Sequence, residues 1–449
     1  MFDVYYTQRY FLDVKDIILT PIYFIIFVFI LQIVSLKENK ENRRLFFYAG
    51  IAKLIASIFF GLIYFFVYGS GDTSLYFSYG KIINISFFEE GPLFFLKIMF
   101  SNGEFDPDTN KITRYMEWYS DSSSFLIVKI VAVLCFFTFQ TYMPIAMIFS
   151  LFSFWGLWLF FLIMANENPT LKKYIWFGIF FLPSTLFWSS GILKDGIVLS
   201  CLCLAYYGFY KIFYKGIFRL IYFIYMFLGA YLVLYIKSYV LICFLPLFIF
   251  PFVHRQLKSP KRSILFKLLV IIFFVSGTTY GFYNLFYSEK WKNEFKELSE
   301  SIAATANYIY YMSEITGGSA YSLGKLDGSI ESVISKAHLA VFTTLYRPFI
   351  WESKNMTMFL SAVESSYLLL VTLYLIIAGN KKFILYKFKT DAFFSSTVIC
   401  TVIFGTLVGV SSYNFGTLVR YKIPLLPFFI SMLFLLVYPD ASKSKKYNI

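Results

Sequence analysis

Apolar runs of about 20 residues recur along the whole sequence, and they constrain the fold more than any other feature. A run of that length crosses the roughly 30 Å hydrocarbon core of a bilayer as one helix. Charged residues make up only 15% of the chain, against about 25% in soluble domains. Because lipid offers the backbone no hydrogen-bond partners, these runs must be helical. The sequence therefore predicts an all-α polytopic membrane protein, with residues 1–449 as a single transmembrane domain.

The apolar runs predict about 11–13 transmembrane helices. Candidate spans lie at about 17–36, 45–68, 124–140, 143–164, 174–190, 196–213, 219–236, 238–253, 264–286, 357–378, 392–411 and 422–438. Two longer polar segments, 69–123 and 287–356, separate groups of spans and are expected to be extracytoplasmic. Apolar and charged residues alternate at helical spacing in the second segment. This pattern predicts an amphipathic helix, which either lies along the membrane surface or is solvated.

The basic residues give the expected orientation in the membrane. The net charge is +14, and many lysines and arginines fall in short connectors such as KENKENRR (37–44) and the tail KSKK (443–446). Such connectors face the cytoplasm, so the charge indicates orientation rather than nucleic-acid binding, and the C-terminus is expected to be cytoplasmic. Successive connectors should alternate between the two sides of the membrane, but the predicted spans break this alternation at one place. Either 84–101 crosses or re-enters the membrane, or 124–164 crosses only once.

Asp72, in GSGDTS directly after an early span, is the first candidate site residue. A carboxylate at the membrane surface can act as a general base on an acceptor hydroxyl or bind a divalent cation. The alternative is a helix cap in a turn. The cysteines and histidines have no metal-binding spacing, so no metal ligand set and no certain cofactor is predicted, and a divalent cation at Asp72 remains an alternative.

Lys194 and Asp195 form the second candidate, because they open a new helix after the stretch PSTLFWSSG. Backbone N–H groups at a helix start favour anions, and Lys194 adds a positive charge. The pattern predicts a phosphate-binding site. In the alternative interpretation, Lys194 extends to lipid headgroups and Asp195 compensates the helix dipole.

The third candidate is LYRPFIWESKN (345–355), which contains Arg347, Trp351 and Glu352 just before a span. An arginine beside a tryptophan can bind the face of a sugar or a phosphate. The alternative is a tryptophan of the interfacial belt with anchoring charges around it.

Arg420 and Lys422 form the fourth candidate, at the edge of the last apolar run. Both are expected on the outer side, so orientation does not explain them. Arg420 stays charged and needs an anion, for which a lipid-linked phosphate or pyrophosphate is suitable. An ion pair with Asp72 or Glu352, or a headgroup contact, is the alternative.

Three further ionisable residues, Lys53, Lys129 and Glu364, lie inside apparent spans. Charged groups at membrane depth usually face the bundle interior or a water-filled cavity. We therefore expect these three side chains to point inward.

Three motifs together resemble a known class of enzymes: GD followed by a tyrosine-containing helix, then PSxxFWSSGxxKD, then RYKIPLLPF. They are similar to segments of bacterial multi-spanning glycosyltransferases of the GT-C type and of O-antigen-like surface-polysaccharide polymerases. This resemblance implies a GT-C-like fold, with Asp72 at the position of the catalytic base. It also implies that Arg420 lies near the phosphate of the lipid carrier.

The function expected from these observations is sugar or oligosaccharide transfer from a polyprenyl phosphate or pyrophosphate carrier. The reaction would take place at the outer face of a bacterial cytoplasmic membrane, in the synthesis of a surface polysaccharide. Membrane lipids and the lipid-linked saccharide are the expected partners. Two alternatives are a flippase or transporter of lipid-linked saccharides and a non-catalytic membrane subunit of an envelope complex.

Overall fold

The computed structural model describes residues 11–258, 263–265, 268, 272, 276, 289–315, 318–324 and 326–437. About 80% of the described residues are helical. Within these ranges the extended backbone pairs at one isolated bridge, between Ala320 and Asn414, and forms no strand. The prediction of an all-α membrane protein is confirmed at this level.

Nineteen α-helices are described, and we number them in chain order. They are α1 (Val14–Ser35), α2 (Lys40–Ile63), α3 (Asp72–Glu89), α4 (Pro92–Met99), α5 (Asn110–Thr113), α6 (Ser122–Phe137), α7 (Tyr142–Glu167), α8 (Lys172–Phe180), α9 (Pro183–Trp188), α10 (Lys194–Phe209), α11 (Leu220–Lys258), α12 (Glu289–Ile315), α13 (Ile330–Ser335), α14 (Ala337–Tyr346), α15 (Met356–Ile377), α16 (Lys381–Thr390), α17 (Ala392–Ser412), α18 (Phe415–Tyr421) and α19 (Leu426–Val437). Short π-helical turns, Tyr64–Tyr68 and Tyr210–Tyr214, extend α2 and α10.

Seven described helices are long and apolar enough to cross a membrane: α1, α2, α7, α10, α11, α15 and α17. The pair α18 and α19, bent by 72°, would make an eighth. This number is smaller than the 11–13 helices predicted from the sequence, partly because predicted spans merge or break. The spans predicted at 219–236 and 238–253 both lie in α11, which is kinked between them at Lys237, and the span predicted at 174–190 is divided between α8 and α9.

The rest of the difference in helix number comes from one predicted span that forms a shorter helix and one that lies largely outside the described residues. The span predicted at 124–140 corresponds to α6, an apolar helix of 16 residues. The span predicted at 264–286 and the basic tail at 443–446 lie largely or wholly outside the described residues.

The chain divides into two compact units, which we describe separately. Unit 1 comprises Met1–Ile163, Phe180–Gly208 and Phe223–Ser238, and unit 2 comprises Met164–Ile179, Phe209–Tyr222 and Tyr239–Ile449. The division falls inside α7, α8, α10 and α11. The prediction of one transmembrane domain is not tested by this division.

In unit 1, the segment 69–123 that appears polar in sequence contains a buried helix. Helix α3 packs along α6, and its small residue Gly80 makes this approach close. A Cβ atom at Gly80 would lie 2.5 Å from Val131 Cγ1 and 3.0 Å from the backbone nitrogen of Ala132. The buried residues of α3 include Tyr76, which is 2% exposed. This packing positions the first turn of α3, where Asp72 lies.

In unit 2, α14 packs against α17 with two glycines at the interface. A Cβ atom at Gly409 would lie 2.4 Å from the carbonyl oxygen of Ala340 and 2.7 Å from its Cα. At Gly405, one turn earlier on the same face, the nearest atom is 3.5 Å away, on Val341. Close backbone approach through small residues is typical of helix pairs in membranes.

We expect Gly409→Ala to destabilise unit 2, because backbone atoms of α14 cannot move aside as a flexible side chain can. Overpacking of this kind costs about 1–3 kcal/mol. Gly405→Ala is the matched control and should be neutral or stabilising by about 0.5–1 kcal/mol, the gain in helix propensity. Unfolding of the purified protein by SDS titration in mixed micelles measures both. Equal effects of the two substitutions would contradict the close approach at Gly409.

Candidate functional site

The stretch PSTLFWSSG folds as a short helix and a turn that leads into α10. Pro183 occupies the first turn of α9, where its missing N–H is not needed. Gly191 in the following turn leaves no room for a side chain, since a Cβ atom would lie 2.1 Å from the Phe60 ring. The turn ends at Lys194 and Asp195, the first residues of α10.

Lys53 of α2 holds this turn from the interior of unit 1. Its side chain is 1% exposed, and its ammonium group donates to the carbonyl of Ser189 at 3.0 Å, to Ser189 Oγ at 2.7 Å and to Ser190 Oγ at 2.9 Å. Ser153 Oγ of α7 donates to the same carbonyl at 2.7 Å. Three neutral oxygens thus satisfy all three ammonium donors, as a buried cation requires. The expectation that Lys53 points inward is confirmed.

Lys194 binds a carboxylate at the start of α6. Its ammonium group lies 3.1 Å from Asp121 Oδ2 and donates to Ser123 Oγ at 2.7 Å. Asp121 is the N-cap residue of α6 and also accepts from Ser124 Oγ at 2.5 Å. Partial burial alone would raise the pKa of Asp121. Hydrogen bonds from Ser124, Ser123 and Lys194 outweigh burial and hold that pKa well below its usual range.

Asp195 forms a second and more deeply buried ion pair with Lys237. The Lys237 ammonium lies 2.5 Å from Asp195 Oδ1, and the two side chains are 13% and 1% exposed respectively. Lys237 interrupts α11, because its backbone (φ −146°, ψ 79°) is not helical. The break falls between the two spans that the sequence predicts at 219–236 and 238–253.

The two ion pairs belong to one group, which we call the four-charge cluster: Asp121, Lys194, Asp195 and Lys237. Lys194 interacts electrostatically with both Asp195 and Lys237. The hydroxyl of Tyr235, two residues before the break in α11, donates to the carbonyl of Ser122 at 3.5 Å. The starts of α6 and α10 and the break in α11 therefore come together in unit 1.

Asp72 is the first residue of α3. It is half-buried in the first turn, and its neighbour Thr73 shares a hydrogen bond of 2.7 Å with the hydroxyl of Tyr142. Tyr76 lies one turn further on the same face of α3. The Tyr76 hydroxyl is 3.4 Å from Ser124 Oγ, and Ser124 binds Asp121 of the four-charge cluster. Asp72 and the cluster are thus linked through one turn of α3.

This arrangement combines a half-buried carboxylate with two lysines held at fixed positions. Lysine ammonium groups bind phosphate as point charges, and a carboxylate can accept a proton from a hydroxyl. The four-charge cluster itself is formally neutral. Among the described residues, no three or more His, Cys, Asp and Glu side chains are grouped to hold a metal ion.

In unit 2, Arg347 and Glu352 form an ion pair. Arg347 Nε lies 3.1 Å and 3.2 Å from the two carboxylate oxygens, and its Nη2 also contacts Glu352. The guanidinium group lies 4.8 Å from the ring centroid of Phe415 and 5.7 Å from that of Tyr321. The third candidate is therefore an ordered pair, supported by cation–π contacts.

Trp351, between these two charged residues in sequence, is 80% exposed. Its ring stacks on Phe349 with centroids 4.8 Å apart and an interplanar angle of 21°. One face of the indole is thus covered. This geometry is compatible with both interpretations made from the sequence, a sugar platform and an interfacial anchor.

Lys422 is completely buried at the bend between α18 and α19. Its ammonium group donates to Ser365 Oγ at 3.0 Å and interacts electrostatically with the buried carboxylate of Glu364. Ser365 Oγ in turn donates to the carbonyl of Arg347 at 3.2 Å. The third and fourth candidates are thus connected through Lys422, whereas Arg420 is half-buried. Glu364, at 2% exposure, points inward as expected.

The structure brings together Lys194 and Asp195 in unit 1, and Tyr76, one turn after Asp72, reaches Ser124, which binds the Asp121 partner of Lys194. It brings Arg347, Glu352 and Lys422 together in unit 2. Asp121 and Lys237 are the site residues that the sequence analysis missed. Asp121 had a signal, since the string DSSS before an apolar run predicts an N-cap. Lys237 also had a sequence signal, because it is a lone charge in the apolar sequence that begins at Leu220.

Comparisons with known proteins identify no relative. No protein-family model, no curated protein and no solved structure matches this chain. The functional interpretation therefore depends on the residues and their geometry.

We expect the Asp195–Lys237 pair to stabilise unit 1 asymmetrically. Lys237→Met leaves a carboxylate that is almost inaccessible to water without its cation, which costs about 3–5 kcal/mol. Asp195→Asn should cost less, because Lys237 is more exposed and can extend toward water. The double variant should recover part of the loss. SDS titration in mixed micelles measures the full cycle, and strictly additive losses would contradict a direct pair.

Proposed function

We propose that this chain is an integral membrane glycosyltransferase or polysaccharide polymerase. Its donor would be a sugar or oligosaccharide linked to polyprenyl phosphate or pyrophosphate. One observation carries the proposal: Lys194 and Lys237 lie at the ends or breaks of membrane helices, in a group that Ser124 links to Tyr76, one turn after Asp72. That combination provides what transfer from a phospholipid carrier needs, a proton acceptor and cations for the departing phosphate.

In the proposed reaction, the Asp72 carboxylate accepts the proton of the acceptor hydroxyl. The hydroxyl oxygen forms a bond to the anomeric carbon of the donor sugar, and the bond from that carbon to the phosphate oxygen breaks. The electron pair leaves with the carrier phosphate, and the Lys194 ammonium group stabilises its charge.

The two ion pairs of the four-charge cluster support different roles for their lysines. Asp121 is 45% exposed, so the Lys194–Asp121 pair is worth little and can open toward an incoming phosphate. Asp195 is 1% exposed, so the Lys237–Asp195 pair is costly to break. We infer that Lys194 binds the carrier phosphate, while Lys237 and Asp195 hold the start of α10 in place.

The same proposal assigns unit 2 to binding rather than proton transfer. Arg347 is already paired with Glu352, and Lys422 is enclosed beside Glu364. The exposed face of Trp351 suits a pyranose ring. Within unit 2, Arg420, half-buried near the end of α18, remains a proposed contact for a lipid-linked phosphate.

The proposal places the reaction at the outer face of a bacterial cytoplasmic membrane, with the C-terminus in the cytoplasm. Support comes from the basic connectors, which are expected to face the cytoplasm and which alternate with the segments that contain Asp72, Lys194 and Arg347.

The length profile of the host's surface glycan tests the proposal. A deletion strain is complemented with wild type, Asp72→Asn, Lys194→Gln or Arg420→Ala at equal protein levels. We expect each variant to lose the long glycan chains, because each removes a proton acceptor or a phosphate contact. Remaining single repeat units would indicate a polymerase, and a truncated repeat would indicate a transferase for one sugar.

Asp108→Asn is the matched control, since it removes a carboxylate from the same segment, 73% exposed and paired with Lys97, and should leave the profile normal. Normal profiles for Asp72→Asn and Lys194→Gln would overturn the catalytic proposal. Such profiles, together with a defect in the deletion strain, would favour a flippase or a non-catalytic subunit.

A further inference from the structure

Helix α12 in unit 2 has two faces of opposite character. Ala303, Ala306 and Ser313 recur at helical spacing and are at most 6% exposed. Opposite them lie Tyr308, Tyr311 and Ile315, which are 65%, 61% and 62% exposed. The last three turns thus present large apolar groups outward.

The buried face of α12 packs against α17, one of the membrane-spanning candidates. The contact continues at the end of that span. Asn414 Nδ2, just beyond α17, donates to Ser313 Oγ at 2.8 Å. The outward stripe is therefore on a helix that lies directly alongside a span.

The chain after α12 is attached to the ends of two spans. Tyr413 and Phe415 lie just beyond α17. The amide of Phe415 donates to the carbonyl of Ser319 at 2.9 Å, and the carbonyl of Tyr413 accepts from the amide of Tyr321 at 3.1 Å. Lys354, two residues before the span α15 begins, donates to the carbonyl of Gly318 at 2.8 Å. Because the ends of spans lie at the membrane–water interface, the C-terminal end of α12 is held at that depth.

We propose that the stripe formed by Tyr308, Tyr311 and Ile315 contacts the interfacial region of the bilayer that the chain itself spans. The stripe covers eight residues, or about 10 Å along the helix axis, comparable to the depth of a headgroup layer. Tyrosines favour that layer, because the ring is apolar and the hydroxyl remains hydrated. Isoleucine favours the acyl boundary beneath it. The inference does not depend on the proposed enzymatic function.

Fluorescence quenching in the full chain tests this contact. Single variants Tyr308→Cys, Tyr311→Cys and Ile315→Cys are labelled with the environment-sensitive fluorophore NBD. The five native cysteines are all buried, so they should not compete for the label. The labelled proteins are reconstituted in phosphatidylcholine vesicles with or without brominated acyl chains. We expect brominated lipid to quench the three stripe positions several-fold more than iodide in the water phase does.

Asn307→Cys and Glu314→Cys are the matched controls, because both positions are exposed but lie about 70–90° from the centre of the stripe around the helix. We expect iodide to quench them more than brominated lipid. If the stripe positions respond to iodide as the controls do, the helix is solvated and the proposal fails. If neither quencher reaches the stripe, protein covers it, and the proposal also fails.

Discussion

A charge at membrane depth must find its partners within the protein, and this constraint organises the described structure. Lys53 has no access to water, and its ammonium is instead surrounded by oxygens of Ser189, Ser190 and the backbone. Those same atoms form the turn from which α10 begins. The burial of one lysine thereby determines where Lys194 and Asp195 lie. Removing its charge would leave Ser189 Oγ and Ser190 Oγ without this donor, and only Ser153 would still donate to the Ser189 carbonyl.

The same constraint explains why charges interrupt helices at two places. Lys237 breaks α11 and reaches Asp195, and Lys422 lies at the bend between α18 and α19, beside Glu364. An irregular backbone at membrane depth is tolerated where it is enclosed by protein or lines a cavity. Each break therefore marks a position where polar groups are concentrated. We place the chemistry of the proposed reaction near the first of them.

Much of the helical architecture follows from apolar run length, but the arrangement of the site does not. The run from Leu220 to Lys258 predicts a break beside Lys237, and the structure has it there. The burial of helix α3 was missed because its serines, tyrosines and glycine look polar, although packing against α6 buries them. Likewise, an ion pair of Arg420 with Asp72 or Glu352 was an alternative left by the sequence, whereas Glu352 pairs with Arg347, five residues before it. Pairings between distant segments, such as Lys194 with Asp121, carry no periodic signal that single-sequence reasoning can read.

The most direct test of the central claim is the pool of polyprenyl-linked saccharide in the host membrane. Mass spectrometry measures this pool in the deletion strain complemented with wild type or with Asp72→Asn. A glycosidase added to sealed membranes, of which it reaches only the outer face, shows on which face the saccharide lies. The proposed function predicts that intact lipid-linked saccharide accumulates with Asp72→Asn and is accessible from the outer face. An unchanged pool would contradict use of a lipid-linked donor, and accumulation confined to the inner face would point to transport instead of transfer.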